Sequence, residues 1–150
     1  MSPRILIIGQ GLAGTALAWR LWERQVPFVI VDREEPVTCS KVAAGLITPI
    51  TGMRLTVSWR YDLFYREALR FYRTCGRRLK QRFFFPRGYV RLLKNEPEIA
   101  KWHKRRRDTD MQPFLHRQAP ELNSDVFHDP QNGFQQRHAA WLDTTAYLQA

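Results

Sequence analysis

Ile5-Leu6-Ile7-Ile8-Gly9-Gln10-Gly11-Leu12-Ala13-Gly14 carries most of the structural information in this chain, read together with the next eighteen residues as far as Asp32. Ile5 to Ile8 is a short unbroken apolar run, the pattern of a parallel strand covered on both faces. It ends at glycines spaced GxGxxG. From about Ala13 to Arg24 the residues Leu17, Ala18, Leu21 and Trp22 recur at spacings of three and four, which predicts a helix. Gln25-Val26-Pro27 ends it, because proline disfavours helical backbone in the residue before it. Phe28-Val29-Ile30-Val31 is a second apolar run, closed by Asp32. Strand, helix and strand in this order predict a right-handed crossover that leaves the two strands parallel neighbours.

Each part of such a unit has a task if it holds a dinucleotide. Gly9 permits a tight turn, Gly11 lets backbone approach a diphosphate, and Gly14 lets the helix pack closely on the strand. The turn through Gln10 and the helix start at Leu12 and Ala13 present amides and a partial positive charge to that diphosphate. Asp32, 18 residues beyond Gly14, is placed to accept from ribose hydroxyls, with Arg33 beside it. An acid there favours an unphosphorylated ribose, so FAD or NAD over NADP. A glycine-rich turn that binds nothing is the plainer alternative, and the full strand–helix–strand context disfavours it.

The chain has 150 residues, of which 44% are hydrophobic and 13% aromatic, so one packed domain is expected and wholesale disorder is excluded. Two cysteines, Cys39 and Cys75, exclude a disulfide scaffold; neither has metal-ligand or CxxC spacing, and both read as buried structural thiols. The histidines His103, His116, His128 and His138 are scattered and read as surface or hydrogen-bonding residues, not ligands. No apolar run is long enough for an integral membrane span. Arg4 before an apolar stretch invites a signal-peptide reading, but three spaced glycines and an immediate second strand fit it poorly. A soluble protein of a reducing compartment, the cytoplasm, is the expectation.

Charge is uneven. The net charge is +10, and residues 53–107 hold seventeen of the 24 basic side chains against four acids. Residues 33–52 read as loop with small side chains in a row, Ala43-Ala44-Gly45, which allow close backbone approach to something flat. Residues 57–79 are the longest helix candidate, with Tyr61, Phe64, Tyr65, Ala68, Phe71, Tyr72, Cys75 and Leu79 on one stripe. Arg66, Arg70, Arg73 and Arg77 form a second, basic stripe. Phe83–Phe85 and Tyr89–Leu93 predict a hairpin around Pro86-Arg87-Gly88. Pro97 is suited to open a helix running to about Arg107. Residues 108–132 show no firm periodicity, Gly133–Trp141 suggests one strand, and Asp143 or Thr144 caps a final helix.

The stretches ILIIGQGLAGTALAWRL, VDRE and CSKVAAGLITP resemble the D-amino-acid-oxidase-like flavoenzymes, which include glycine oxidase and sarcosine oxidase. WLDTTAYL resembles, more weakly, a strand-to-helix turn of that family's substrate domain. The resemblance implies FAD as cofactor, with Ser40 near the diphosphate and Ala43, Ala44, Gly45 and Leu46 beside the isoalloxazine. Without it, the small-residue loop reads as one packed against its own core. The implied chemistry is oxidation of a C–N bond in a small amino acid or amine, with hydride transfer to flavin N5 and hydrolysis of the resulting imine. Reduced flavin is then reoxidised, usually by oxygen.

The expected fold is therefore α/β: a Rossmann-like FAD-binding βαβ unit in residues 1–52, then the beginning of a mixed α+β substrate domain in 53–150. Relatives are more than twice as long, and a two-strand parallel sheet leaves an edge and an apolar face uncovered. An incomplete fold follows as an expectation, with a missing C-terminal region or second polypeptide as partner. No catalytic residue is assigned, since the family's substrate-binding groups have no counterpart here. Two alternatives stay open: an NAD-binding dehydrogenase module, and a non-catalytic fragment or subunit needing a second chain. The basic stripe and Lys104-Arg105-Arg106-Arg107 read first as solvated helix faces, then as contacts with acidic or later segments. RNA comes last, as one branch of these flavoenzymes modifies a tRNA base. Trp59, Tyr61, Phe71, Tyr72 and Trp102 lie among the basic residues in sequence but fall on the apolar stripe, which disfavours base stacking.

Overall fold

The computed structural model describes residues 5–118, 122, 125–128 and 133–150. Its elements run β1 (Ile5–Ile8), α1 (Leu12–Glu23), β2 (Phe28–Val31), α2 (Cys39–Val42), β3 (Leu46–Ile47), β4 (Ile50–Thr51) and β5 (Thr56–Val57). They continue with α3 (Tyr61–Leu79), β6 (Phe84–Pro86), β7 (Tyr89–Arg91), α4 (Glu96–Arg105), β8 (Phe134–Gln136), β9 (Ala140–Leu142) and α5 (Thr144–Gln149). Two compact units result: Met1–Gly45 with Leu142–Ala150, and Leu46–Trp141. Arg4, weighed above as the start of a signal peptide, lies outside the described residues.

In the first unit β1 and β2 pair in parallel, from Ile5 opposite Phe28 to Ile8 opposite Val31, with α1 between them in sequence. α1 packs against both strands, and Ile7 and Ala18 are buried. The sheet is covered on one face, not on both as its apolar runs predict. Leu6, Ile8, Val29 and Val31 are exposed, Ile8 by 82%. Side chains alternate across a strand, so one helix buries one face and leaves the other in water. α2 packs on α5, and α5 also meets α1. The Asp143 carboxylate, not Thr144, caps α5 by accepting from the Ala146 amide at 2.9 Å.

Residues 33–52 are more structured than the loop expected of them, holding α2, β3 and β4. Two-residue strands have no periodicity to read, and their partners are set by distant sequence. Leu46 stands opposite Trp141, and Ile50 opposite Val57.

In the second unit α3 starts at Tyr61, later than expected, because 56–57 is strand and Arg60 takes a left-handed φ of 50°. Its buried face is Tyr61, Tyr65, Phe71 and Cys75, while Phe64 is exposed and leans on Trp59 at 5.8 Å. The Tyr61 and Tyr65 hydroxyls donate to the carbonyls of His138 and Ala139 at 2.7 and 2.9 Å. Burial pushes both phenols above their ordinary pKa. Cys75 is buried as expected; Cys39 is exposed, contrary to expectation.

The expected hairpin does not form. β6 lies beside β9 in a sheet ordered β3-β9-β6, whereas β7 pairs antiparallel with β8, Tyr89 opposite Gln136 and Arg91 opposite Phe134. The single strand expected at Gly133–Trp141 is split to match, at Arg137–Ala139, where His138 has a φ of 54°. The bend after Pro86 and this break face each other through Arg87 N–H donating to Ala139 O at 3.1 Å. Both segments change partner at the same level, so neighbours in sequence end in different sheets. α4 begins one residue before Pro97, at Glu96, with the Asn95 side chain accepting from the Glu98 amide at 3.1 Å. Among the described residues, no helix is long and apolar enough to cross a membrane, and no three His, Cys, Asp or Glu side chains cluster as a metal site.

Candidate functional site

Gly9 leaves β1 at a φ of +96° and donates its N–H to Val31 O at 2.8 Å, so the turn starts from the pairing with β2. The next amide, Gln10 N–H, donates to Asp32 Oδ2 at 2.6 Å, and Glu34 N–H donates to Oδ1 at 2.7 Å. Asp32 therefore faces the glycine turn. The Gln10 amide first, and the Glu34 amide next, hold its carboxyl below the ordinary value of 3.8, with Lys41 and Arg33 adding to them against slight desolvation. The carboxylate stays exposed, and its remaining lone pairs are open to further donors.

Gly11 occupies the cap position of α1 but has no side chain to cap with. Ser40, from α2, supplies one: its Oγ accepts from Leu12 N–H at 3.1 Å. A Cβ on Gly11 would lie 2.7 Å from that Oγ, so the cradle tolerates only glycine without a shift. The helix ladder begins with Thr15 N–H to Gly11 O at 2.9 Å. The Ala13 and Gly14 amides precede that ladder and have no protein acceptor among the described residues, and the first turn of α1 contains no acid. A Cβ on Gly14 would fall directly on the Gly9 carbonyl oxygen, so α1 rests on the turn with nothing between. Unpaired amides, a positive helix end and a carboxylate across the turn suit a ligand with anionic groups at one end and hydroxyls at the other.

Gly9, Gln10, Gly11, Leu12, Ala13, Gly14, Asp32 and Ser40 are thus brought to one helix end. Ala43, Ala44 and Gly45 follow α2 and are anchored by residues a hundred positions away. Thr144 Oγ1 donates to Ala43 O at 3.3 Å, and Leu142 N–H donates to Gly45 O at 2.9 Å. Ala43 and Ala44 are exposed, which does not fit a loop packed into its own core. Leu46, 54% exposed, belongs to β3 in the second unit. Arg33 stands in solvent, paired with Glu35 at 3.5 Å. Sequence reading missed the Glu34 amide and Lys41, which hold and polarise Asp32; an Asp two residues before a turn position was the available signal. It also missed Leu142 and Thr144, for which no local signal exists.

The fold and site define a mixed α/β protein whose first strand and helix leave a turn of open amides beside an acid. The chain belongs to the FAD-dependent oxidoreductase (DAO) family, whose model matches residues 4–150, and that family's cofactor is FAD. Iminodiacetate oxidase (IdaA) from Chelativorans sp. BNC1 has a similar structure: TM-score 0.62 at 21% identity, over 97% of this chain and 43% of that one. A mutant of NikD in its open form, an unusual amino acid oxidase essential for nikkomycin biosynthesis, superposes with TM-score 0.51 at 17% identity, over 96% and 39%. The chain therefore spans less than half the length of either. No curated protein matches it.

Proposed function

We propose that this chain holds FAD through the Gly9–Gly14 turn and Asp32, and that it serves oxidation of a C–N bond in a small amino acid or amine. The single observation carrying the cofactor placement is Asp32 bonded to the Gln10 amide, beside the open amides of Ala13 and Gly14. In this reading those amides and the positive end of α1 neutralise the diphosphate. Asp32, kept ionised by the Gln10 and Glu34 amides, accepts from the adenosine ribose hydroxyls. Ser40 occupies the Leu12 amide and so fixes α2 against the turn. Ala43 to Leu46, small or exposed side chains beyond α2, are assigned to the isoalloxazine edge. Bound FAD supplies the redox chemistry, acceptance of a hydride at N5 from the carbon of a C–N bond.

The substrate class is supported by family membership and by two structural relatives named as oxidases, one of iminodiacetate and one of an amino acid. The open face of β1 and β2, together with the partial span of those relatives, supports a sheet completed by further sequence or a second polypeptide.

The visible spectrum of purified protein, before and after added FAD and dialysis, tests the cofactor site. Retained flavin bands that are lost in Asp32→Ala support it. A chain that binds NAD and stays colourless would instead be a dehydrogenase module. Anaerobic bleaching of the bound flavin by a panel of small amino acids and amines tests the substrate class separately; no bleaching by any of them removes that class while leaving the cofactor site standing.

A further inference from the structure

The second unit contains a cavity of about 980 Å³ that the flavin reading does not use. Its volume lies within the roughly 300–1,000 Å³ range of small-molecule sites. Trp102 of α4 forms part of its wall and stacks on the buried ring of Phe134, centroids 4.0 Å apart and planes 8° from parallel. That stack gives the wall a rigid aromatic base.

The rim is cationic. Arg106, Arg117 and Arg137 line it, with His103 and His116, and among the described residues no carboxylate does. Among the described acids, Glu98 is paired with Arg91, while Asp108 and Asp110 are both paired with Arg105 at 3.3 Å. The three rim guanidinium groups have no ion-pair partner among the described residues. Three arginines arrive at this one cavity from different segments, the end of α4, the stretch after the turn at Gln112–Phe114, and the break between β8 and β9, and bring like charge to it. Arginine also offers paired N–H donors in the fork geometry that phosphate and carboxylate oxygens accept.

We propose that this cavity binds a small polyanion, a molecule with two or more phosphate or carboxylate groups, independently of the glycine turn. A basic face that is merely solvated needs no concave aromatic base. A long nucleic acid would instead engage the exposed arginines of α3 as well.

Calorimetric titration of the purified chain with sodium tripolyphosphate, and separately with citrate, distinguishes the two anion chemistries. Saturable one-to-one binding of either is expected, weakened roughly tenfold or more by Arg106→Ala with Arg137→Ala. Both side chains are exposed, so the double variant should keep the wild-type melting temperature. Arg66→Ala with Arg70→Ala, on α3, should leave the affinity unchanged. The proposal is overturned by no saturable binding of either anion, or by equal binding in wild type and the rim variant. It is also overturned if a single-stranded RNA oligonucleotide binds far more tightly than tripolyphosphate, with a steep salt dependence and equal loss in both double variants.

Discussion

At the residue scale Asp32 ties the glycine turn to the end of β2 with one carboxylate that stays exposed, and in the proposed function that carboxylate also accepts from the ribose. Replacing it with alanine should weaken FAD binding by roughly tenfold or more, read by flavin fluorescence titration. Because its folded pKa lies below the ordinary 3.8, its contribution to the turn is complete above that value. It is lost as pH falls through the lowered folded value, so the difference between wild type and Asp32→Ala should vanish only in strong acid. Gly14 is constrained by contact. A methyl group there would strike the Gly9 carbonyl oxygen, so Gly14→Ala should cost about 1–3 kcal/mol by denaturant melting. Thr15→Ala, one residue on, adds no such clash and removes only a 3.3 Å hydroxyl bond to Gln10 O, so it should cost less.

At the element scale, two helix ends bear their own tests. α4 is held by reciprocal contacts: Asn95 accepts from the Glu98 amide, and Glu98 accepts from the Lys94 amide at 3.0 Å while pairing with Arg91. Burial works to raise the Glu98 pKa, but the Lys94 amide and the Arg91 guanidinium outweigh it, leaving it below its ordinary value of 4.5. The pair is largely covered, with 19% and 11% of the two side chains exposed. Glu98→Gln should therefore lose about 1–3 kcal/mol at neutral pH. A lowered carboxyl stabilises above its unfolded value and ceases to as pH drops through the folded one, so the loss should persist at its ordinary 4.5 and shrink only in stronger acid. α3 ends at Lys80 with a left-handed φ of 53°, the position where glycine carries no steric penalty. Lys80→Gly should stabilise by about 0.5–1 kcal/mol, measured as an upward shift of the urea midpoint.

For the whole molecule, the two units differ in how they are held. The second is built around large buried side chains from α3, β6, β8 and the turn at Gln112–Phe114. The first rests on a two-strand sheet with one open face. Amide hydrogen exchange should be faster across β1 and β2 than along the buried face of α3. FAD at a hundred times its dissociation constant should add about 2.7 kcal/mol to the stability of whatever unfolds with its site. The added protection should concentrate in residues 5–45; protection spread evenly over residues 46–141 would place the cofactor elsewhere.

Contiguous patterns proved readable in sequence: the β1–α1–β2 unit, the glycine spacing, the acid at the end of β2, the long amphipathic α3. Their information lies within one or two helical turns, where periodicity and proline or glycine chemistry act directly. Pairing did not prove readable. β6 and β7 look like a hairpin because hydrogen-bond partners are not written in a strand's own residues, and the bend at His138 hands each of them to a different strand. The same holds at the site. Glycines and Asp32 were visible, but Ser40 as the cap of α1, and Leu142 and Thr144 as anchors of the 43–45 loop, exist only once segments distant in sequence are packed together. Local sterics and hydrophobic period set the parts; long-range hydrogen bonding and packing chose which parts meet.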